Sequence, residues 1–201
     1  MGFFDNTRKP TGLGGKVMVS MMNIGHAALA DWGLGALGIP DGARILDCGC
    51  GGGANIAKLL KEHPDANVVG VDYSDVSVGK SESLNKAAID AGRCEIIEAS
   101  VSALPFENAR FDIATAFETV YFWQDLEKCF GEVFRVLKPG GTFFICNECC
   151  DAPNGEKWTR IIGGMRVYDE NALRTALESV GFSGIKTEKN ERGWIRVTAR
   201  K

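Results

Sequence analysis

Apolar residues along the chain follow two alternating spacings. Short apolar runs of strand character are followed by stretches in which apolar residues recur every three or four positions, as on one face of a helix. Strands are predicted at residues 44–47, 67–72, 93–97, 111–117, 142–146, 183–189 and 194–200. Strands separated by helices pair in parallel, so the pattern predicts an α/β fold in which one seven-stranded, mostly parallel sheet carries helices on both faces.

Helices are predicted where the apolar residues fall on one helical face. The buried stripe of the helix after the second strand is expected to consist of Leu84, Ala88 and Ala91. Ser74 or Asp75 can cap that helix, because both side chains accept hydrogen bonds from its first free amides. The helix before the fifth strand is expected to stop at residues 139–141, a Pro-Gly-Gly sequence. After the fifth strand no periodic pattern is found until Asp169, so an irregular segment is expected there.

The last two predicted strands are joined by only a few residues, around 190–193. A parallel connection needs about a dozen residues or more, so these two strands must be antiparallel. The sequence therefore predicts a parallel sheet that ends in an antiparallel strand pair.

The beginning of the chain differs in composition from the rest. Residues 1–15 are rich in Gly, Pro and polar residues and are expected to be mobile, whereas apolar residues recur at helical spacing from Val17 to about Leu37. A Pro-Asp-Gly turn marks the boundary. We therefore expect an N-terminal helical cap or lid over residues 1–40 and a main domain over residues 41–201. The methionine-rich face of the cap helix is compatible with a flexible lid and equally with permanent packing on the sheet.

Composition narrows the classes of function. The 25 glycines among 201 residues are well above the roughly 7% typical of proteins, which favours tight turns or close contact between backbone and ligand. Lys and Arg number 23 and Asp and Glu 26, so the chain lacks the overall basic charge of a nucleic-acid-binding protein. No apolar run approaches the roughly 18 residues of a membrane span, and no secretory signal is found at the start. The seven cysteines have no disulfide-framework spacing, so a cytoplasmic protein with reduced thiols is expected.

The most informative segment is a glycine-rich turn at residues 45–53 (ILDCGCGGG), which follows a predicted strand and opens a helix. Glycines at such a turn let the backbone approach a ligand, and the helix N-terminus favours negative groups. Asp72 ends the next strand, where a carboxylate can accept both hydroxyls of an adenosine ribose. Asp47 directly precedes the turn, and an acid there would repel a pyrophosphate but suits an ammonium group or a sulfonium cation.

Four segments in register resemble the motifs of one enzyme family. They are residues 45–53, residues 69–74 (VGVDYS), residues 102–106 (SALPF) with Phe111 and Asp112, and residues 135–141 (RVLKPGG). Together they resemble class I S-adenosylmethionine (SAM)-dependent methyltransferases, and their order and spacing are similar to the ubiquinone/menaquinone-type small-molecule subgroup. The resemblance covers the chain from about residue 42 to its end. It implies a Rossmann-like fold, S-adenosyl-L-methionine as cofactor, S-adenosyl-L-homocysteine as product, and a small-molecule methyl acceptor.

The resemblance also implies roles for individual residues. Gly49 and Gly51 would pack under the methionine part of SAM, Asp47 would help to hold its amino group, and Asp72 would accept the ribose hydroxyls. The other residues expected to contact the cofactor are Tyr73 against the adenine, Ser100 and Val101 at its edge, and Phe117 near the methionine. The family often has Asp at the position of Ser100, and a hydroxyl holds the adenine amino group more weakly than a carboxylate.

Methyl transfer is an in-line displacement, for which a protein mainly supplies position and, where the nucleophile must lose a proton, a general base. The candidates follow the fourth strand, because loops at the carboxyl ends of strands face the ligand crevice. Glu118 is predicted as a base or as the group that holds a cationic substrate, and Tyr121 as a hydrogen-bond partner of the nucleophile. The alternative is that Glu118 contacts only SAM or water and that the aromatic residues beside it form a wall.

Other reactive residues are assigned to structure rather than to chemistry. His26 is expected to face solvent or to hydrogen-bond on its helix. The sequence Cys146-x-x-Cys149-Cys150 lacks the second ligand pair of a zinc site, so no metal is expected. The candidates for an acceptor-pocket wall in the segment after the fifth strand are Trp158, Met165 and Tyr168.

Two other functions fit parts of the pattern. One is a nicotinamide-dependent reductase, because Gly49-x-Gly51-x-x-Ala54 also satisfies the dinucleotide fingerprint, although no second domain is evident to hold a hydride acceptor. The other is a non-catalytic SAM-binding module, since the sequence names no certain base. The acceptor atom (O, N, C or S) stays open, as does the choice between monomer and homodimer.

Overall fold

The computed structural model describes residues 12, 14, 26–150 and 152–201. The strands in this part of the chain are β1 (Arg44–Cys48), β2 (Asn67–Asp72), β3 (Cys94–Glu98), β4 (Phe111–Phe117), β5 (Leu137–Asn147), β6 (Ser183–Lys189) and β7 (Ile195–Arg200). The helices are α1 (Ala27–Leu34), α2 (Ala54–Glu62), α3 (Asp75–Asp90), α4 (Leu126–Val136), α5 (Ala152–Ile161) and α6 (Glu170–Ser179), with a 3-10 turn at Val120–Phe122.

The strands form one seven-stranded sheet in the order β3-β2-β1-β4-β5-β7-β6. Every pair among β1 to β5 is parallel, and β7 is antiparallel to both of its neighbours, β5 and β6. The predicted Rossmann-like fold and its terminal antiparallel pair are therefore confirmed. The chain leaves β1 to one side for β2 and later returns to its other side as β4, so the carboxyl ends of these three strands open a crevice at one edge of the sheet.

The fifth strand begins earlier than the apolar pattern predicts. α4 ends at Val136, and β5 runs from Leu137 through the Pro-Gly-Gly sequence that the pattern assigns to a helix stop. The pairing of β4 with β5 shifts register between Phe111 and Ile113, which accommodates the proline. Proline lacks an amide hydrogen and is tolerated at such an irregularity, so the strand passes through it.

The segment expected to be irregular contains helix α5. Pro153 and Gly155 in its first turns interrupt the periodic apolar pattern, so the pattern does not predict the helix. Proline is tolerated in a first turn because the amides there have no helical partner. Gly155 is buried, and a Cβ there would lie 2.5 Å from Val167 Cγ2. Close packing against Val167 therefore explains why a glycine, which has a low helix propensity, lies in this helix.

The apolar stripe predicted for α3 is only partly correct, because Ala88 alone of its three residues is half-buried and packs against the core. Leu84 is 50% exposed, and Ala91 is exposed as well. The residues that α3 buries are Ser77, Ser81 and Asn85. Ser74 caps the helix as predicted, by accepting a hydrogen bond from the amide of Ser77. The buried face of α3 is polar because it packs against the glycine turn, where small side chains and hydrogen-bond donors are required.

Helix α1 packs directly on the sheet beside the crevice. A Cβ on Gly33 would lie 2.8 Å from Phe117 Cε1 and 2.9 Å from Cys146 Sγ, so the helix backbone touches the ends of β4 and β5. Arg196 of β7 donates to the carbonyl oxygen of Trp32 at 3.1 Å and fixes the far end of the helix.

The N-terminal helix predicted from Val17 is described only from residue 26 onward. It ends at Leu34, and Gly35 takes the C-cap position. The predicted mobility of residues 1–15 and the methionine-rich helix face lie outside the described residues, apart from residues 12 and 14.

The hydrophobic core lies on both faces of the sheet. Phe143 of β5 packs with Phe130 of α4 and Leu173 of α6, whereas Phe144 packs on the opposite face with Ile56 of α2 and residues of α1. Among the helices that the structure describes, none combines the length and the apolar character needed to cross a membrane.

Candidate active site

A cavity of about 510 Å³ opens at the carboxyl edge of β1, β2 and β4, with α1 along one side. This volume is typical of small-molecule sites. The segments that line it are residues 49–52, 54–55, 72–73, 77, 99–102, 117–119, 122–125 and 128–129, together with residues 26, 29 and 30. The predicted glycine turn and the end of β2 therefore face the same space as the loop after β4.

The glycine turn after β1 uses its glycines in two ways. Gly49 has a φ of 78°, and a Cβ there would lie 2.1 Å from Thr119 Oγ1, so the turn touches the loop after β4. Gly51 has a φ of 51°, and nothing lies within 4 Å of an added Cβ. Gly49 therefore serves close packing, and Gly51 leaves the backbone open to the cavity.

The support beneath this turn was not found by sequence reasoning. Asn85 Nδ2 donates to the carbonyl oxygen of Gly53 at 3.1 Å and to that of Ser81 at 3.0 Å. A Cβ on Gly53 would lie 2.3 Å from Ser81 Oγ, so α3 reaches the turn backbone without an intervening side chain. The signal that could have found this support is the spacing of Ser77, Ser81 and Asn85, which form a polar helical stripe.

Asp72 ties the end of β2 to the glycine turn. Its Oδ2 accepts from the Gly51 amide and its Oδ1 from the Ser74 amide, both at 2.9 Å. Burial raises the pKa of Asp72, and the hydrogen bonds from Ser74 and Gly51 act in the opposite direction. Because Asp72 also lines the cavity, its carboxyl lies where the sequence predicts an acceptor for ribose hydroxyls.

Asp47 is not part of the cavity wall. It is 2% exposed, and its Oδ1 accepts from Thr115 Oγ1 of β4 at 2.8 Å. Burial raises the pKa of Asp47 to about 6, the hydrogen bond from Thr115 lowers it, and the charge of Asp72 raises it. Asp47 therefore lies behind the turn, and its predicted part in holding a ligand amino group stays a prediction.

The other predicted cofactor residues lie together on the cavity wall. They are Tyr73, Ser100, Val101 and Phe117, beside Gly49, Gly51 and Asp72. Tyr73 is 37% exposed, so part of its side chain is accessible to a flat group in the cavity. Ser100 Oγ lies 2.8 Å from Ser102 Oγ, which makes a pair of hydroxyls at the predicted adenine edge.

Glu118 and Tyr121 lie in different environments. Glu118 lines the cavity with a φ of 58°, a strained value for a non-glycine residue. Its amide donates to the Cys146 carbonyl at 3.0 Å, and its Oε1 accepts from the Tyr121 hydroxyl at 3.1 Å and from the Glu148 amide. Tyr121 is 2% exposed, does not line the cavity, and accepts from the Cys149 amide at 2.7 Å. Tyr121 therefore holds the Glu118 carboxyl from behind the cavity wall, and its predicted contact with a nucleophile stays a prediction.

Burial shifts the pKa values of Glu118 and of the side chains around it. Burial raises the pKa of Glu118 to about 8, with the Glu148 amide lowering it and the Glu148 charge raising it. Burial also raises the pKa of Tyr121 well above its ordinary value of 10. His26, expected to face solvent or to hydrogen-bond on its helix, lies on the cavity wall with Nε2 3.8 Å from Glu118 Oε2, and burial lowers its pKa. At neutral pH Glu118 is therefore mainly protonated and His26 mainly neutral.

We expect Glu118→Gln to stabilise the protein at pH 8 and to leave its stability unchanged near pH 4.5. An acid whose pKa is raised in the folded state stabilises the fold fully below its ordinary pKa of 4.5. This stabilisation is lost as the pH rises to about 8. Glutamine does not ionise, so the variant avoids this loss of unfolding free energy, which is about 2 kcal/mol or more at pH 8. Urea unfolding across this pH range measures the difference in stability between the variant and the wild type. The control is Glu178→Gln, at an exposed position of α6. A stability difference that is the same at every pH would contradict the raised pKa.

The residues after β5 that the sequence offers as an acceptor wall lie elsewhere. Trp158, Met165 and Tyr168 do not line the cavity, and the Tyr168 hydroxyl donates to the Trp123 carbonyl at 3.2 Å. The aromatic residues among the described lining residues are instead Tyr73 after β2, Phe117 at the end of β4, and Phe122 and Trp123 of the loop that follows β4. The cysteines of the Cys-x-x-Cys-Cys sequence are buried thiols that form no disulfide.

Comparison with known proteins identifies relatives of the chain. A family model described as a methyltransferase domain matches residues 46–145. The 24-methylenesterol C-methyltransferase 2 of Oryza sativa subsp. japonica is 33% identical over 157 residues, which are 72% of this chain and 42% of the rice protein. The O-methyltransferase rstn1 of Aspergillus nomiae is 32% identical over 152 residues, which are 72% of this chain and 66% of the fungal protein. The chain thus spans less than half of the rice relative's length.

Solved structures share the fold. A chain in the complex between the Haloferax volcanii Trm112 methyltransferase activator and the putative methyltransferase aligns with a TM-score of 0.82 at 19% identity, over 92% of this chain and 94% of that chain. The glycine turn, Asp72 and the loop after β4 all lie within the residues that the family model matches. The chain belongs to the class I SAM-dependent methyltransferases.

Proposed function

We propose that this chain transfers a methyl group from SAM to a small-molecule acceptor held beside Glu118. The observation that carries the proposal is the glycine turn anchored to Asp72 inside the cavity, through the Gly51 amide at 2.9 Å. Asp72 would hold the ribose hydroxyls and Tyr73 the adenine, and the open backbone at Gly51 would receive the methionine part. When bound, SAM supplies an activated methyl group on a cationic sulfur, and the protein supplies position and the exclusion of water.

The charges around the cavity favour a cation over a diphosphate. Asp72 and Asp125 line it, whereas Lys128 is the one Lys or Arg among the described lining residues. Asp47 adds a buried acid behind the glycine turn. Acidic groups in a low-dielectric cleft attract a sulfonium and oppose a pyrophosphate. This supports SAM over a nicotinamide dinucleotide as the ligand of the turn.

The acceptor side of the cavity is apolar and aromatic. Leu29 and Ala30 of α1 line it together with Phe117 at the end of β4 and with Phe122 and Trp123 of the loop that follows. We infer a flat or apolar acceptor that turns one polar group toward Glu118. The relatives named as sterol C-methyltransferase and O-methyltransferase support this class, and the ubiquinone/menaquinone-type motif spacing is compatible with a ring-containing acceptor.

We also propose that residues 1–40 form a cap on the acceptor side, joined to the main domain of residues 41–201. The support is the position of His26, Leu29 and Ala30, which reach the cavity from the start of α1. Cap residues that touch the acceptor would set its size and shape.

The proposal is tested by incubating the chain with methyl-labelled SAM and fractions of a cellular metabolite extract. We expect label to move into a low-mass fraction with the wild-type chain and not with Asp72→Ala. If SAM binds but no fraction gains label, the non-catalytic SAM-binding module is favoured instead.

A further inference from the structure

Three side chains from separate elements meet at one end of the cavity. His26 precedes α1, Glu118 follows β4, and Glu148 follows β5, and one nitrogen or oxygen atom of each lies within 4.8 Å of the others. Glu118 and His26 line the cavity, whereas Glu148 lies behind them. The cluster therefore brings one carboxyl group and one imidazole to the cavity wall, with a second carboxyl group close behind them.

The charged and titratable groups that face Glu118 compensate its charge poorly. Its Oε1 accepts from Tyr121 and from the Glu148 amide, and its Oε2 faces His26. The sulfur of Cys146 lies on the neighbouring end of β5, and Arg196, which faces that sulfur from β7, is paired with Glu188. Among the described residues, His26 is the one basic group within 4.0 Å of the Glu118 carboxyl. Two carboxyl groups this close repel each other when both are ionised, so their proximity favours the protonated form of Glu118.

We propose that Glu118 carries a proton while the cavity holds no cation, and that it releases the proton when the sulfonium of SAM enters. The inference rests on the proposed function. In this step the carboxyl O–H bond breaks, its electron pair stays on Oε2, and the proton passes to the buffer. The carboxylate that accepts a proton from the methyl acceptor is then formed only in the loaded cavity.

The geometry links the carboxyl to the ligand. Thr119, the residue after Glu118, contacts the glycine turn so closely that a Cβ on Gly49 would lie 2.1 Å from its Oγ1. A cation held over that turn therefore lies in the same cavity as Glu118, where a positive charge favours the ionised carboxyl. The raised pKa of Glu118, about 8, leaves a proton to be released at neutral pH.

His26 supplies the path of the proton. Its side chain is 34% exposed, against 12% for that of Glu118, so the imidazole lies between the buried acid and solvent. Since burial keeps the imidazole neutral, its nitrogen can accept the proton from Oε2 and pass it outward.

Calorimetric titrations with SAM and with S-adenosyl-L-homocysteine, each at pH 7 in phosphate and in Tris, test the proposal. The two buffers differ in ionisation enthalpy, so the difference in heat counts the protons released. Both ligands carry the same adenosine and amino-acid groups, and only SAM is a sulfonium cation. We expect SAM to release at least about half a proton more than S-adenosyl-L-homocysteine, as the raised pKa allows.

Variants identify the group that releases the proton. Glu118→Gln should abolish the difference between the two ligands, whereas Glu178→Gln on exposed α6 should retain it. If SAM binds and releases no more protons than S-adenosyl-L-homocysteine, the inference is overturned and the proposed function stands. If neither ligand binds, the proposed function itself fails. The comparison of the two ligands on the wild-type chain tests the inference even if Glu118→Gln does not fold. If a folded Glu118→Gln still releases more protons with SAM than with S-adenosyl-L-homocysteine, the proton comes from another group and the inference is overturned.

Discussion

Asp72→Ala is expected to weaken SAM binding by at least about tenfold, since hydrogen bonds to a carboxylate are worth about 1.5–3 kcal/mol each. The substitution removes the proposed acceptor of the ribose hydroxyls. It also releases the amides of Gly51 and Ser74, which the carboxyl holds at 2.9 Å, so the turn loses its anchor. Calorimetry with SAM measures the affinity, and urea unfolding measures the accompanying loss of stability, about 1–3 kcal/mol.

A matched control separates the two effects of Asp72→Ala. Asp112 is the second residue of β4, at the edge of the sheet opposite the crevice, and it accepts from the Arg44 amide at 2.9 Å and from Lys138 Nζ at 2.6 Å. Asp112→Ala should lower stability and leave SAM affinity unchanged. If Asp72→Ala binds SAM as tightly as the wild type, the ribose is held elsewhere and the proposed placement of the cofactor is wrong.

The second large effect is expected at the glycine turn, where one substitution should mainly lower stability and a neighbouring one should mainly weaken SAM binding. Gly49→Ala places a Cβ 2.1 Å from Thr119 Oγ1 at a φ of 78°, so we expect a loss of unfolding free energy of about 2 kcal/mol or more. Gly51→Ala meets no atom within 4 Å and should lower stability by only about 1 kcal/mol. Its methyl group projects into open space at the cavity, so it should weaken SAM binding at least about tenfold, a loss of 1.4 kcal/mol.

Gly42→Ala is the control for this pair. Gly42 has a φ of 68°, no atom lies within 4 Å of an added Cβ, and the residue does not line the cavity. It therefore carries the same backbone strain without the ligand contact, and SAM affinity should not change. Equal affinities for Gly51→Ala and Gly42→Ala would show that the cofactor does not approach the turn backbone.

Much of the fold is predictable because its strands are buried continuously. β2 and β4 are found at the predicted residues, since runs such as Asn67–Asp72 and Phe111–Phe117 are apolar and bounded by polar turns. The short connection around residue 190 forces an antiparallel pair whatever the side chains are. By contrast, α5 and the start of β5 are stabilised by contacts from distant residues, and local propensity at Pro139 and Pro153 argues against both.

The meeting of the glycine turn with Asp72 was predictable from the sequence, and the surroundings of Glu118 were not. Gly51 and Asp72 stand at fixed places relative to two strands, so their meeting follows from the topology. The environment of Glu118 depends on Glu148 and His26, which come from the ends of separate elements. The burial of Tyr121 likewise depends on the path of the chain after β5, and no local pattern gives that path.

The central claim is that the glycine turn holds a cationic adenosyl sulfonium and not a diphosphate. Calorimetric titration of the wild-type chain with SAM, and separately with NAD and NADP in both oxidation states, tests it most directly. We predict saturable heat with SAM and none with the dinucleotides. Binding of a dinucleotide without binding of SAM would contradict the account.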